Sequence, residues 1–391
     1  MKFYSDPELQ TIFDLLNAGH SRPMVRFVGG CVRDYCLGLP IKDIDLATIH
    51  TPAAVTKILK AQFKIIPTGI DHGTVTILTT NGAVQITTLR HDVITDGRHA
   101  KISFTDDWRE DAIRRDFTIN TLLMDENGKI YDPLGIGLKE LQKQSVIFVG
   151  NAEMRVREDY LRILRYVRFT ARFSKGKLDL NYLKIFTKHK KDFKKVSIER
   201  ITDEILKTIL LPFGIKALQN FEVTKILPLP KLSNRSIIAH KKIIKFDMIS
   251  HSLLLALWSD RKIAKWNKIN QYLRLPKAIQ TECISIIEGA KLLKKNSEHE
   301  YKLLLYKYGH TVAETIILFD LLMKDANLNS IRSKIKKLRS LAIPVFKLSG
   351  KDLIKRGMRP SPEMGATLKR LEQVWIQSDF DDRLLNLTNL T

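Results

Sequence analysis

A chain of 391 residues with 44% hydrophobic and 27% charged side chains can bury cores for roughly two to four domains, which excludes wholesale disorder. Nineteen glycines and 13 prolines, spread without a repeat, exclude a collagen-like or linker-dominated polymer. Against 42 acidic side chains stand 65 basic ones, and the formal charge of +23 points to a polyanionic partner.

The first segment, MKFYSDPELQTIFDLLNAG, reads as a short amphipathic helix with polar residues throughout, not as the apolar core of a secretory signal. No stretch of about 18 apolar residues follows, so the chain is expected to be neither exported nor membrane-spanning. Cys31, Cys36 and Cys283 are too few and too scattered for a disulfide framework or a four-ligand zinc site, and they read as small core residues in a reducing cytoplasm. From Val25 to Leu89 come short β-rich runs, VRFVGG, DIDLAT, FKIIP, TVTILTT and VQITTLR, with a turn signal at Asn81-Gly82, which predict a mixed α/β domain. Beyond Leu138, segments such as EDYLRILRYVRFTARF and SEHEYKLLLYKYG place apolar residues at three- and four-residue spacing and predict helices. Proline and glycine punctuate the pattern near 132–137, 212–214, 228–230 and before Pro344. Charge divides in the same place: residues 1–150 hold 17 basic and 18 acidic side chains, while the remainder holds 48 and 24. Chemistry is expected in the neutral front and a polyanion grip in the basic rear.

The densest chemical signal lies between Val28 and Leu46. A strand running into a helix through Gly29-Gly30 lets backbone N–H groups approach an anion. Asp43 and Asp45 stand two apart on a predicted strand, so both carboxylates leave the same face. Two acids so close repel unless a cation joins them, and hard oxygen donors suit Mg²⁺ carrying waters and phosphate oxygens.

The string VGGCVRDYCLGLPIKDIDLAT resembles the nucleotidyltransferase signature of the class II tRNA nucleotidyltransferase and bacterial poly(A) polymerase family, related to the DNA polymerase beta superfamily. The likeness continues through HGTVTI at 72–77, QITTLR at 85–90, DGR at 96–98, EDAIRRDFTIN at 110–120 and YDPLGIG at 131–137. It extends to EDYLRILRYVRF at 158–169, SIERITDE at 197–204 and GKDLIKRGMRPSPEMGATLKRLE at 350–372, covering nearly the whole chain. The resemblance implies an α+β protein: an N-terminal nucleotidyltransferase head with a DNA polymerase beta-like palm over 1–138, then a helical neck over 139–213, a helical body over 214–340 and a helical tail over 341–391. The expected activity is addition of C, C and A to tRNA 3' ends from CTP and ATP.

Carried over by position, the resemblance makes Asp43 and Asp45 the catalytic metal ligands, with Gly29, Gly30 and Arg33 at the triphosphate. Arg114, Arg115, Asp116 and Asn120 are expected to bind ribose and triphosphate, Arg165 and Arg168 to meet phosphates, and Asp159 with Arg162 to read the base. That last pair makes chemical sense, since C and A each show an amino donor beside a ring-nitrogen acceptor, matching a carboxylate and a guanidinium. U and G put a carbonyl oxygen against the carboxylate, a mismatch of about 1–3 kcal/mol per unsatisfied group. The residues alone also permit simple ion pairing of Glu158 and Asp159 with Arg162. Where the family usually has Glu before TTLR, this chain has Gln85, which offers a carbonyl oxygen but no charge.

Asp96-Gly97-Arg98 resembles a flexible loop that enzymes adding only CC lack, which favours complete CCA addition. Partial CC or A addition, poly(A) synthesis and a noncatalytic RNA-binding protein remain as alternatives. No His-Asp constellation suggests an attached phosphohydrolase; His72 reads as a strand-edge residue and His189 as solvent-facing. In SIERITDE, Glu199, Arg200 and Glu204 read as helix support behind a Ser197 N-cap. The basic stretches at 188–197, 241–245, 332–339 and 355–365 are candidate contacts to tRNA, which helical lysines and arginines recognise by shape and phosphates.

Overall fold

The computed structural model describes residues 2–70, 73–96 and 99–384 in two units, Met1–Pro228 and Leu229–Thr391. His72, Gly97 and Arg98 lie outside the described residues.

In the first unit the β-branched runs form strands as expected: β1 (Val25–Val28), β2 (Ile44–Thr48), β3 (Lys64–Gly69), β4 (Thr74–Thr79) and β5 (Gly82–Thr88). A separate hairpin of β6 (Arg90–Asp96) and β7 (His99–Phe104) follows, then the two-residue strands β8 (Leu123–Met124) and β9 (Ile130–Tyr131). The main sheet runs β3-β4-β5-β2-β1-β8-β9 and is antiparallel except between β2 and β5.

The sheet carries α1 (Pro7–Asn17), α2 (Gly30–Cys36) and α3 (Pro52–Leu59), with α4 (Trp108–Ile113) beside the hairpin. Asp6 starts α1 by accepting from the Glu8 and Leu9 amides at 2.9 and 3.1 Å, a cap worth about 1 kcal/mol. Leu9, Ile12, Phe13 and Leu16 then face the core, each fully buried side chain contributing about 1.5–3 kcal/mol.

Six helices complete this unit: α5 (Gly137–Gln142), α6 (Ala152–Glu158), α7 (Arg162–Phe173), α8 (Leu180–Lys188), α9 (Ile198–Ile209) and α10 (Gly214–Phe221). Packed on α6, α9 and α10, α7 buries Ile163, Leu164, Tyr166, Val167 and Phe169, and leaves its arginines along another side. Phe117, Phe148, Tyr166 and Phe186 form an aromatic core with ring centroids 4.9–6.3 Å apart. His189, expected in solvent, is instead 5% exposed, against the Tyr160 ring and 3.2 Å from Glu153. Its position just beyond α8 turns it inward, which the surrounding lysines concealed in the sequence.

The second unit is helical throughout its described residues: α11 (Asn234–Ile243), α12 (His251–Ser259), α13 (Ile263–Leu273), α14 (Lys277–Gly289), α15 (Glu298–Met323), α16 (Leu328–Arg339), α17 (Gly350–Lys355) and α18 (Glu363–Gln377). Helix α12 is buried from Ser252 to Ser259 against α11, α13, α14 and α15. Gly309 breaks α15 at φ 71° and ψ 174°, a conformation essentially restricted to glycine. Trp375 of α18 packs on Tyr306, Phe346 and Phe380.

The turn between α9 and α10 depends on close approach. A Cβ on Gly214 would land on the Thr208 carbonyl, backbone that cannot move without displacing the end of α9. Gly214→Ala should therefore destabilise the protein by about 1–3 kcal/mol, read as a lower urea midpoint at unchanged slope.

Candidate active site

Strand register sets the site. In the antiparallel β1–β2 pair, Phe27 lies opposite Leu46, so the Gly29 turn that ends β1 sits at the same end of the sheet as Asp45. Gly29 has φ 69° and ψ −122°, and a Cβ there would stand 3.1 Å from the Arg115 guanidinium, so both conformation and space require glycine. Helix α2 is only seven residues long, so positive charge at this turn comes chiefly from arginines rather than from a helix dipole.

Asp43 is exposed just ahead of β2, and Asp45 is half-buried within it. Among the described residues neither carboxylate joins an ion pair or a side-chain hydrogen bond, although arginines surround them. Burial lifts the Asp45 carboxyl above its ordinary value, Arg115 opposes that rise and Asp43 adds to it. Across the parallel ladder Asp45 pairs with Gln85, which puts the residue that replaces the family's Glu directly beside it. No cluster of three His, Cys, Asp or Glu forms among the described residues; of the four aspartates that line the cleft, Asp116 and Asp159 are taken by Arg165 and Arg200, which leaves Asp43 and Asp45. Oxygen donors two residues apart, Asp45 within β2 and Asp43 just ahead of it, fit a divalent cation that also takes water and phosphate oxygens.

Both acids open onto a cleft of about 730 Å³. Every expected site residue lines it: Gly29, Gly30, Arg33, Asp43, Asp45, Arg114, Arg115, Asp116, Asn120, Asp159, Arg162, Arg165 and Arg168. Arg90, Leu161, Phe169 and Arg200 join them.

The arginines are held by four carboxylates: Asp116, expected at the nucleotide, Glu204, expected as helix support, and Asp34 and Asp111, for which no role was expected. Asp111, 2% exposed, binds Arg114 at 2.6 Å and Arg115 at 2.9 Å. Asp34 binds Arg33 and Arg172, each at 2.8 Å, while Arg33 also donates to Asn120 Oδ1 at 2.6 Å. Asp116, which accepts from Asn120 Nδ2 at 2.8 Å, holds Arg165 at 2.5 Å. Glu204, 3% exposed, reaches from α9 to Arg168 at 2.6 Å. Asp111 was discernible three and four residues ahead of Arg114 and Arg115; Glu204 and Arg200 had no local signal, since their partners lie on other elements.

Of the two local ion pairs that the residues permit for Arg162, the one with Glu158 forms, at 2.5 Å, whereas Asp159 turns to Arg200 at 2.6 Å and also accepts from the Leu161 amide at 3.0 Å. The Asp159 backbone is extended between α6 and α7, which points its side chain away from the helical i, i+3 position. Ser197 stands at the start of α9 but its hydroxyl makes no capping bond, and Arg200 and Glu204 serve the cleft rather than their own helix.

Burial alone would raise the Asp116 carboxyl, but Arg165, Asn120 and the Phe117 amide outweigh it and hold it below the ordinary range. The same contest at Asp111 is settled by Arg115 and Arg114, again downward. Folded carboxyls of lowered pKa bind fewer protons than their unfolded counterparts. Their stabilisation is therefore full above the unfolded value of about 3.9 and is lost as pH falls through the lower folded values. Thermal unfolding across a pH series should show this loss only below about pH 4. Asp116→Asn should flatten that acid limb and remove roughly 2–4 kcal/mol at pH 7, because Arg165 loses its counter-charge.

Comparison with known proteins agrees with this geometry. Residues 25–147 match the Poly A polymerase head domain family. The chain is 32% identical to human "CCA tRNA nucleotidyltransferase 1, mitochondrial" over 94% of its own length and 87% of that protein. It is also 32% identical to the "CCA-adding enzyme" of Lactobacillus delbrueckii subsp. bulgaricus, over 88% of this chain and 87% of that one. The Bacillus stearothermophilus CCA-adding enzyme solved in complex with CTP superposes with a TM-score of 0.76 at 26% identity, covering 96% of this chain and 94% of that one. With a cleft that gathers the residues of the sequence signature, and relatives matched along nearly its full length, the chain belongs to the CCA-adding tRNA nucleotidyltransferase family.

Proposed function

We propose that this chain adds C, C and A to the 3' end of tRNA from CTP and ATP, releasing pyrophosphate, with Asp43 and Asp45 holding Mg²⁺. The observation that carries this reading is the single cleft where the Gly29 turn, the unpaired Asp43–Asp45 pair and the Asp159–Arg162 pair meet among eight arginines. Bound there, Mg²⁺ would lower the pKa of the attacking 3'-hydroxyl and offset charge on the leaving pyrophosphate. The arginines supply fixed positive charge toward the triphosphate, in place before the nucleotide binds. Gly29 and Gly30 remove side chains from the approach of the phosphates.

Base selection follows from the donors and acceptors left over. Asp159 spends one oxygen on Arg200 and one on the Leu161 amide, yet a carboxylate has about four acceptor sites, so an amino group still finds an acceptor. Arg162 donates through Nη1 to Glu158 and the Arg155 carbonyl and through Nη2 to the Arg114 carbonyl, which leaves Nε–H and one Nη2–H for a ring nitrogen. Arg200 orients Asp159, and the edge shared by C and A fits the pair.

The head would comprise 1–138, the neck 139–213, the body 214–340 and the tail 341–391. Residues 229–391 hold 30 basic side chains against 15 acidic ones, charge suited to the phosphates of a tRNA acceptor arm. Several candidate contacts have internal partners, Lys188 with Glu153, Lys242 with Asp325 and Arg339 with Glu314, so the grip would fall on the lysines around them. A cytoplasmic setting suits a chain whose three cysteines are free, two of them buried.

A tRNA lacking its CCA end, incubated with Mg²⁺, should gain two nucleotides with CTP alone and three with CTP plus ATP. Longer adenosine ladders would mark a poly(A) polymerase, and a stop after CC with both nucleotides a partial adder. Asp45→Ala should lower the rate about 10³-fold or more while tRNA binding persists. Near-normal turnover in that variant would remove the metal assignment. Asp159→Ala should reduce the preference for CTP over UTP by about 10- to 100-fold, and an unchanged preference would sink the base-reading role.

A further inference from the structure

Among the described residues lining the cleft, Phe169 is the one aromatic ring. It is 5% exposed and packs on Phe117 and Phe173, with centroids 5.0 and 5.8 Å away. Three guanidinium carbons surround it, Arg168 at 4.7 Å, Arg33 at 5.3 Å and Arg165 at 5.5 Å from its centroid. Each distance is within the reach over which a ring quadrupole attracts a cation.

The three arginines are tethered from different parts of the chain. Asp34 in α2 holds Arg33, Asp116 beyond α4 holds Arg165, and Glu204 in α9 holds Arg168. Glu204 also comes within 3.8 Å of Arg165. Like charges push the guanidiniums apart; at Arg33 burial is the main cause that lowers the pKa, and Arg172 and Arg168 add to it. The ring is the surface all three share. A saturated side chain of similar volume would fill the space but exert no attraction on the cations.

We propose that Phe169 is a positioning residue for nucleotide capture, its ring face gathering Arg33, Arg165 and Arg168 into one cationic surface turned toward the triphosphate. The inference rests on the nucleotidyl-transfer reading and deepens it. Since the triphosphate is common to both substrates, loss of the ring impairs CTP and ATP alike and leaves base preference untouched. It acts on binding more than on the transfer step, because the metal-holding acids lie elsewhere in the cleft.

The test compares wild type, Phe169→Leu, Phe169→Tyr and a protein carrying pentafluorophenylalanine at 169, which keeps the ring's outline and inverts its quadrupole. KM and kcat for CTP and ATP are measured with the thermal midpoint, and ATP dissociation constants by calorimetry with Mg²⁺. In Phe169→Leu and in the fluorinated protein KM and the ATP dissociation constant should rise about tenfold for both nucleotides, with kcat within about threefold. Phe169→Tyr should stay near wild type. Should Phe169→Leu fail to fold, the fluorinated protein still decides. Unchanged nucleotide affinity in the fluorinated protein, whatever its thermal midpoint, overturns the proposal. A wild type that binds ATP but extends no tRNA would sink the transfer reading alone, and the ATP affinities would still judge Phe169.

Discussion

Arginine stays charged in any protein environment, so a cleft lined by eight of them must be neutralised from within or it will not close. The fold sorts its carboxylates to meet that demand. Asp34, Asp111, Asp116 and Glu204, all at most 8% exposed, stand behind the arginines and take up their charge. Among the described residues Asp43 and Asp45 form no ion pair in that network, although Arg115 acts on Asp45 through space. One set of acids is structural because it is paired, and the other is available for chemistry because it is not.

This sorting also ties the parts of the first unit together. Arg165, Arg168 and Arg172 come from α7, while their partners come from α2, the turn after α4, and α9. A buried ion pair adds little net stability over a well-packed apolar pair, yet removing one partner costs several kcal/mol because a charge is stranded. Such pairs therefore favour one arrangement of α7 against the sheet over slipped alternatives. The cleft acquires its shape from the same bonds that neutralise it, and Asp116 and Asn120 belong equally to fold and to site.

In the second unit charge has a different role. Its helices bury leucine- and isoleucine-rich faces, and much of the basic excess is left on exposed lysines that touch little protein. Exposed ion pairs such as Lys347 with Asp382 contribute weakly to stability, and unpaired lysines contribute to long-range attraction instead. A surface of that kind suits a partner recognised by phosphate spacing rather than by base sequence.

Local sequence was enough for whatever depended on local physics. Strand periodicity announced β1 to β5 and the Gly29 turn announced the approach to the cleft, whereas of the two acids expected on one strand only Asp45 lies within β2 and Asp43 stands just ahead of it. The donor and acceptor groups of Asp159 and Arg162 were equally legible, because hydrogen-bond chemistry belongs to the side chains themselves. Which cation each carboxylate would choose was not legible. Arg162 took Glu158, one of its two local candidates, while Arg200 came from 41 residues further on to hold Asp159, and Glu204 crossed from α9 to Arg168. His189 went inward for a related reason: besides the nearby Asp192 it meets Tyr160 and Glu153, which lie far along the chain. Charges pair by distance in space, and only the folded chain converts sequence separation into distance; tertiary structure therefore decided the pairings, while sequence alone determined the chemical groups available to make them.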